Sequence, residues 1–250
     1  MLGTGYGECK LKSMATKDYR GRGGVLIDGF LLVDAPKDIH ETAKWLGYDS
    51  MFEGVTDILI SHSHPGHFSA EAISKIAKKR RVRLFASREV LRLVEENPNI
   101  EKYEICSFVQ FALGKYKVLP LPSNHKTNIL TEECFNFLIY SDKSLLYALD
   151  GGWINQRAFN LLDNVELDAI ICDAALESLP PSEKNLYHND VHTLGRIKEI
   201  FTGRGIVNDR TKIILSHIPT DKKRQIHDEL TAIAKEYGMV VAYDGYFFAI

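Results

Sequence analysis

Apolar runs that stop at a histidine or an aspartate recur along this chain, and they constrain its fold more than any other feature. Asp57-Ile58-Leu59-Ile60-Ser61 leads into His62, His64 and His67, and a run ending at Leu121 precedes His125. Ser144 to Leu149 stops at Asp150, and Lys212 to Leu215 precedes His217. A sheet delivers the loops that follow its strands to a common edge, so this placement gathers ligand-type side chains in one place. A lone histidine is more often a surface or capping residue, but a neutral imidazole is also the commonest protein ligand for zinc-like metals. The repeated placement therefore predicts a metal centre.

The remaining pattern predicts how the strands are connected. Val25-Leu26-Ile27 and Phe30-Leu31-Leu32-Val33 flank Asp28-Gly29, which is a hairpin signal. Ser69 to Lys79 has helical spacing, so the histidine loop lies between a strand end and a helix start. Arg83 to Ala86 reads as a strand, and Ser87 as the N-cap of a helix through Val90, Leu91 and Val94 that Asn97-Pro98-Asn99 ends. Strands follow at Tyr103 to Phe108, Tyr116 to Leu121, Phe135 to Tyr140 and Ser144 to Leu149, then a helix at Asn155 to Leu162. Beyond it, strands at Ala169 to Cys172, Lys212 to Leu215 and Val240 to Ala242 alternate with helices at Thr193 to Phe201 and Arg224 to Tyr237. Strand pairs in one stretch and strand-helix alternation in another predict a layered α/β sandwich, taken as one domain over residues 1–250.

Charge narrows the partners. With 31 basic and 33 acidic residues the net charge is −2, which gives no global footprint for nucleic acid or an anionic membrane. Lys78-Lys79-Arg80-Arg81 ends a helix, where basic residues meet the dipole favourably, and is not taken as a nucleic acid patch. Cys9, Cys106, Cys134 and Cys172 form no Cys-x-x-Cys pair, which argues against a zinc ribbon or a disulfide framework. No secretory signal is legible at Met1 to Gly5, and no apolar run approaches the roughly 18 residues a membrane span needs. A cytoplasmic protein is expected.

The order and spacing of these residues resemble the metallo-β-lactamase fold superfamily, whose first motif is His-x-His-x-Asp-His. His62, His64 and His67 match it, and Gly66 stands at the place of the aspartate. The resemblance implies a four-layer αββα sandwich. It implies a first metal site of His62, His64 and His125, with Asp150 bridging to a second that includes His67 and His217. One or two divalent transition ions would occupy them, zinc first, with manganese, iron or nickel as alternatives. Within the superfamily the chain looks most like the phosphodiesterase branch that includes ribonuclease Z and the cyclic ribose phosphate phosphodiesterase of phosphonate breakdown. That likeness rests on Leu2-Gly3-Thr4-Gly5, Asp18-Tyr19-Arg20, Tyr187-His188-Asn189-Asp190 and Val241-Ala242-Tyr243-Asp244-Gly245. It implies that His188 contacts the scissile phosphate or protonates the leaving oxygen, so His188 and Asp150 are the expected catalytic residues. Ribonuclease Z itself is disfavoured, because no long insertion could form a tRNA-clamping arm and the net charge is slightly negative.

Gly66 removes one carboxylate from the second site, so the first ion is expected to be held firmly and the second weakly. Asp190 or Asp244 reaching in from another loop is the alternative. Asp34 and Asp173, each at a strand end, are candidates for fixing histidine tautomers. The expected activity is hydrolysis of a small phosphorylated substrate, most readily a phosphodiester, by a metal-activated water. Lactone or thioester hydrolysis, and a binding module that has lost the reaction, are the alternatives, and homo-oligomerisation is left open. Gly3-Thr4-Gly5 and Gly21-Arg22-Gly23-Gly24 are taken as flexible turns before phosphate cradles. Lys126 is taken as a surface residue and His40 and His227 as structural, His192 is left open between a surface and a functional role, and Trp153 and Tyr187 lie where they would either line a pocket or pack.

Overall fold

The computed structural model describes residues 1, 3–6, 17–48, 50–220 and 226–250. Leu2, Cys9 and the Arg224-Gln225 start of the last expected helix lie outside them. Behind a two-residue strand β1 (Gly5–Tyr6), the Asp28-Gly29 hairpin joins β2 (Val25–Ile27) to β3 (Leu31–Val33). Asp28 and Gly29 both take positive φ, 47° and 74°, as a type I′ turn requires. In parallel with β3 come β4 (Asp57–Leu59), β5 (Val82–Ala86) and β6 (Ile100–Glu104), which complete a five-stranded sheet.

The second sheet has seven strands. Its antiparallel half is β7 (Phe111–Leu113), β8 (Tyr116–Pro122), β9 (Phe135–Tyr140) and β10 (Ser144–Ala148). β11 (Ala169–Asp173) and β12 (Lys212–Ser216) extend it in parallel from β10. After the short β13 (Ile218–Pro219), which pairs with β1, β14 (Val240–Val241) closes the edge beside β12.

Alternate residues of a strand face opposite sides, so the apolar runs fill separate cores. In β4, Ile58 and the following Ile60 pack under α1 (Ile39–Trp45), α2 (Ala70–Ala77) and α3 (Arg88–Arg92), whereas Leu59 faces the other sheet. In β12, Ile214 faces inward, while Ile213 and Leu215 pack under α4 (Gln156–Leu162), α5 (Val191–Gly203) and α6 (His227–Glu236). Two helical cores and one core between the sheets make the four-layer αββα sandwich that the resemblance implied. Burial on both faces also explains why these runs are nearly continuous rather than alternating.

The cap expected at Ser87 forms, with Ser87 accepting from Val90 N–H, and Ser69 and Asn155 likewise accept from the N–H groups of Ala72 and Arg157. Two local expectations are corrected and one unsignalled helix is added. The strand expected through Phe108 ends at Glu104, and Phe108 turns the chain with φ of 66° before β7 starts. α1, which the sequence did not signal, forms after Pro36 with only Ile39, Thr42 and Ala43 buried. The glycines near the N-terminus are not loose turns either. Gly5 N–H donates to Gly21 O at 2.7 Å, and a Cβ at Gly3 would lie 1.8 Å from Arg22 O, so these residues let two backbones touch. Among the described residues no helix is long and apolar enough to cross a membrane.

Candidate metal centre

The strand ends of both sheets converge on one cluster. Asp34 follows β3; His62, His64 and His67 follow β4; His125 follows β8; Asp150 follows β10; Asp173 ends β11; and His217 follows β12. Asp34, Asp150 and His217 hold φ of 61°, 54° and 56°, a region that L residues rarely adopt. Such strain persists only where surrounding contacts hold it, and here it bends the chain sharply at three strand ends.

Asp150 is the hub. Its Oδ2 lies 2.8 Å from His67 Nε2, 3.3 Å from His62 Nε2 and 3.8 Å from His125 Nε2. Its Oδ1 lies 2.9 Å from His217 Nε2 and 3.2 Å from His188 Nδ1. His125 Nε2 is 3.0 Å from His64 Nδ1. Ligand-type atoms within 4.8 Å of one another define three groups: His62, His64, His125 and Asp150; His67, Asp150 and His217; and Asp150, Asp173 and His188. Four ligands on a tetrahedral ion at 2.0–2.1 Å sit roughly 3.3 Å apart, which is close to the spacings in the first group. Buried His62 Nε2 and His67 Nε2 make no hydrogen bond. Donor chemistry, spacing and orphaned nitrogens together fit a divalent transition ion.

The opposite edges of the rings are held in place. Asp34 is fully buried and accepts from Ser61 N–H at 2.8 Å, Ser61 Oγ–H at 3.0 Å, Tyr147 O–H at 2.7 Å and His67 Nδ1–H at 2.7 Å. Ser61 Oγ in turn lies 3.0 Å from His62 Nδ1. One carboxylate thus turns the Nε2 atoms of both His62 and His67 toward Asp150, the tautomer-fixing role expected for Asp34. Asp173 accepts from Asn189 N–H at 2.6 Å and stands 3.9 Å from His188 Nδ1. Asp190 and Asp244, the suggested stand-ins for a carboxylate at position 66, are committed elsewhere. Asp190 caps α5 and accepts from Asn185 and Thr193, while Asp244 accepts from Thr4 and Gly21. A Cβ at Gly66 would meet nothing nearer than His217 Cε1 at 4.0 Å, so the place of the missing carboxylate is open space beside the second group.

Burial sets the charges. It holds His62 down at about 4, helped by His67 and opposed by Asp150. Burial likewise takes His125 down to about 3, so both rings are neutral at pH 7. His67 is the exception: burial opposes its charge, but Asp150 and Asp34 overcome it and raise it from 6.5 to about 10. Asp173 is pushed up to about 6 by burial. A raised histidine stabilises the metal-free fold fully below 6.5, and that stability is lost as pH rises toward 10. An ion entering the His67 group at about pH 8 should therefore expel the His67 proton, whereas His62 and His125 in the first group are neutral and have none to give. Calorimetric titration in two buffers of different ionisation enthalpy measures this, and equal proton counts for both ions would contradict it.

His40, His227 and Lys126, expected to be bystanders, and His192, left open, all have partners outside the cluster or an exposed position. His40 Nε2 lies 3.0 Å from Ala72 O, His227 Nδ1 3.0 Å from Arg20 Nη2 and His192 Nδ1 2.8 Å from Tyr237 Oη, while Lys126 is exposed. Trp153 and Tyr187 are both exposed, on segments joined to each other by Gly151 N–H to Tyr187 O and Trp153 N–H to Asn185 O.

Two sheets packed face to face under helices, with histidines and one shared aspartate at the strand ends, define the metallo-β-lactamase fold, and this chain has it. Among solved structures it is similar to the metallo-beta-lactamase fold protein YhfI from Bacillus subtilis, with 16% identity, a TM-score of 0.73, and 98% of this chain and 95% of that one covered. A diphosphatase from the PhnP family matches at 20% identity and a TM-score of 0.73, over 100% of this chain and 96% of that one. A metal-dependent hydrolase of the beta-lactamase superfamily matches at 13% identity and a TM-score of 0.57, over 91% of each chain. No family model matches the chain, and no curated protein matches it by sequence.

Proposed function

We propose that the protein is a metal-dependent hydrolase that cleaves a phosphodiester in a small phosphorylated substrate. His188 is the observation that carries this reading. Its ring is mostly buried, with Nδ1 between Asp150 Oδ1 at 3.2 Å and Asp173 Oδ2 at 3.9 Å, directly beside the ligand-type groups. Burial works against its charge, but Asp150 and Asp173 prevail and raise its pKa above 6.5. Nδ1–H faces the carboxylates, which favour the protonated ring, and that ring is the proposed source of a proton for a departing oxygen. A proton donor matters most for a poor alkoxide leaving group, which favours phosphodiesters over lactones or thioesters. The diphosphatase from the PhnP family, alike in fold over the whole chain, supports the same class.

His62, His64, His125 and Asp150 would hold the first ion, and His67 and His217 would share Asp150 for a second. Bound there, zinc, manganese, iron or nickel would polarise a phosphoryl oxygen and lower the pKa of water from about 15.7 toward 7. Asp150 offsets cationic charge from both sides, and Asp34 keeps the inner histidines aimed at it. The test is turnover of bis-p-nitrophenyl phosphate, lactone and thioester substrates by protein loaded with each metal. His188→Gln should lower the rate about 100- to 10,000-fold on an alkyl phosphodiester and far less on p-nitrophenyl esters, which need no proton on leaving. Equal losses on both would remove His188 from the donor role.

Gly66 is the one feature that favours a binding module instead. Tight metal without turnover on any of the three substrate classes would establish that reading. If the second site is short of a carboxylate, Gly66→Asp should tighten the second ion by more than about tenfold, read by chelator competition. An unchanged affinity would mean that the second ion does not depend on this position.

A further inference from the structure

We propose that Glu132 is a positioning residue that sets the spacing of His64 and His125, and with it the affinity of the first ion. The inference rests on the metal-dependent reading above. His62 is held from inside the sandwich by Ser61 and Asp34. Among the described residues the His64 and His125 rings, on the loops after β4 and β8, show no such anchor. His64 Nδ1 and His125 Nε2 face each other at 3.0 Å, and on the loop after β8 it is the His125 backbone N–H that is held, by Ser123 Oγ at 3.1 Å. Glu132 ties these two loops together. Its Oε1 accepts from Ser63 N–H at 2.6 Å, and its Oε2 accepts from Ser63 Oγ–H at 2.5 Å and from Thr127 Oγ–H at 2.7 Å.

Ser63 precedes His64 directly, and Thr127 follows His125 by two residues, so the carboxylate links the segments that carry both rings. Its own loop is braced as well. Ile129 N–H donates to Thr127 Oγ at 3.1 Å, and Glu132 N–H donates to Ile129 O at 3.0 Å. Phe135 N–H to Ser61 O, at 3.0 Å, already joins the roots of the two loops. Glu132 therefore joins their outer parts, where His64 Nδ1 and His125 Nε2 stand 3.0 Å apart. A ligand pair must be held to within about 0.5 Å of productive geometry, and two independent loops cannot do this alone. Glu132 and Ser63 are only partly buried, and the buried Thr127 hydroxyl has Ile129 O at 3.2 Å as another acceptor, so few donors are stranded when Glu132 is removed and the fold loses little.

The experiment uses the full chain stripped of metal and reloaded with zinc or cobalt. Glu132→Ala should weaken the first ion about 10- to 100-fold in chelator competition, with Glu132→Gln and Thr127→Val each showing part of that loss. The visible spectrum of the cobalt protein should change shape, while the Tm of the metal-free protein stays within a few degrees of the parent. A first-ion affinity within twofold of the parent, or an unchanged cobalt spectrum, overturns the proposal. So does a large fall in the metal-free Tm of both Glu132 variants, which would make the role one of general folding. If the parent binds no ion, or His64→Ala and His125→Ala leave its affinity unchanged, the metal-centre reading fails instead, and the inference with it.

Discussion

Asp150→Asn should cost the protein its metal and its turnover together. The Asp150 carboxylate lies within 3.8 Å of ring nitrogens from His62, His67, His125, His188 and His217, so both proposed ions lose a ligand and their shared counter-charge. Loss of a residue that merely orients a ligand typically costs 10- to 100-fold in metal affinity, and loss of a ligand shared by two ions should exceed about 100-fold. The metal-free fold should also weaken by about 3 kcal/mol, the lower end for a broken buried pair, because Asp34 stays beside His67. Metal content after dialysis against a buffered chelator, with urea unfolding of the stripped protein, checks both halves. A variant that keeps one tightly bound ion would show that the histidines suffice for the first site.

Asp34→Ala should be nearly as severe without touching a proposed ligand. Four donors converge on that buried carboxylate, and Ser61 N–H, Ser61 Oγ–H, Tyr147 O–H and His67 Nδ1–H would all be left facing a void. An unsatisfied buried donor costs about 1–3 kcal/mol, and with partial relaxation a total of about 3–5 kcal/mol is expected from urea unfolding of the stripped protein. His62 and His67 would then be free to rotate, so metal affinity should fall about 10- to 100-fold. Asp34→Asn keeps an acceptor and should recover part of both losses. If stability falls while affinity holds, Asp34 is a core residue and not an orienting one.

How much of this was legible differs from residue to residue. Asp28-Gly29 was readable because turn chemistry is local, and the apolar runs were readable because the pleat exposes alternate residues to separate cores. Histidines and aspartates after strand ends gave the cluster, since the loops leaving a sheet's strands meet at one edge. Tyr147 was hidden inside the run from Ser144 to Leu149, where it looks like one more core residue. Its hydroxyl meets Asp34 across 113 positions of sequence. Glu132 had no signal either, being one acid of a Glu132-Glu133 pair in a loop whose partners, Ser63 and Thr127, are set by how the loops pack. Nor does composition show that His217 would take a left-handed backbone, a choice made by its contacts.

His62, His64 and His67 come from the half of the chain that builds the five-stranded sheet, whereas His125, Asp150 and His217 come from the half that builds the seven-stranded one. On the proposed function, every bound ion is therefore a brace between two halves that, among the described residues, meet in the apolar core between the sheets. At 100 times its dissociation constant, such an ion adds about 2.7 kcal/mol against separation. Scarcity of the metal would loosen that brace in every copy at once. The lifetime of the chain, as well as its rate of reaction, would then follow the metal supply of its surroundings.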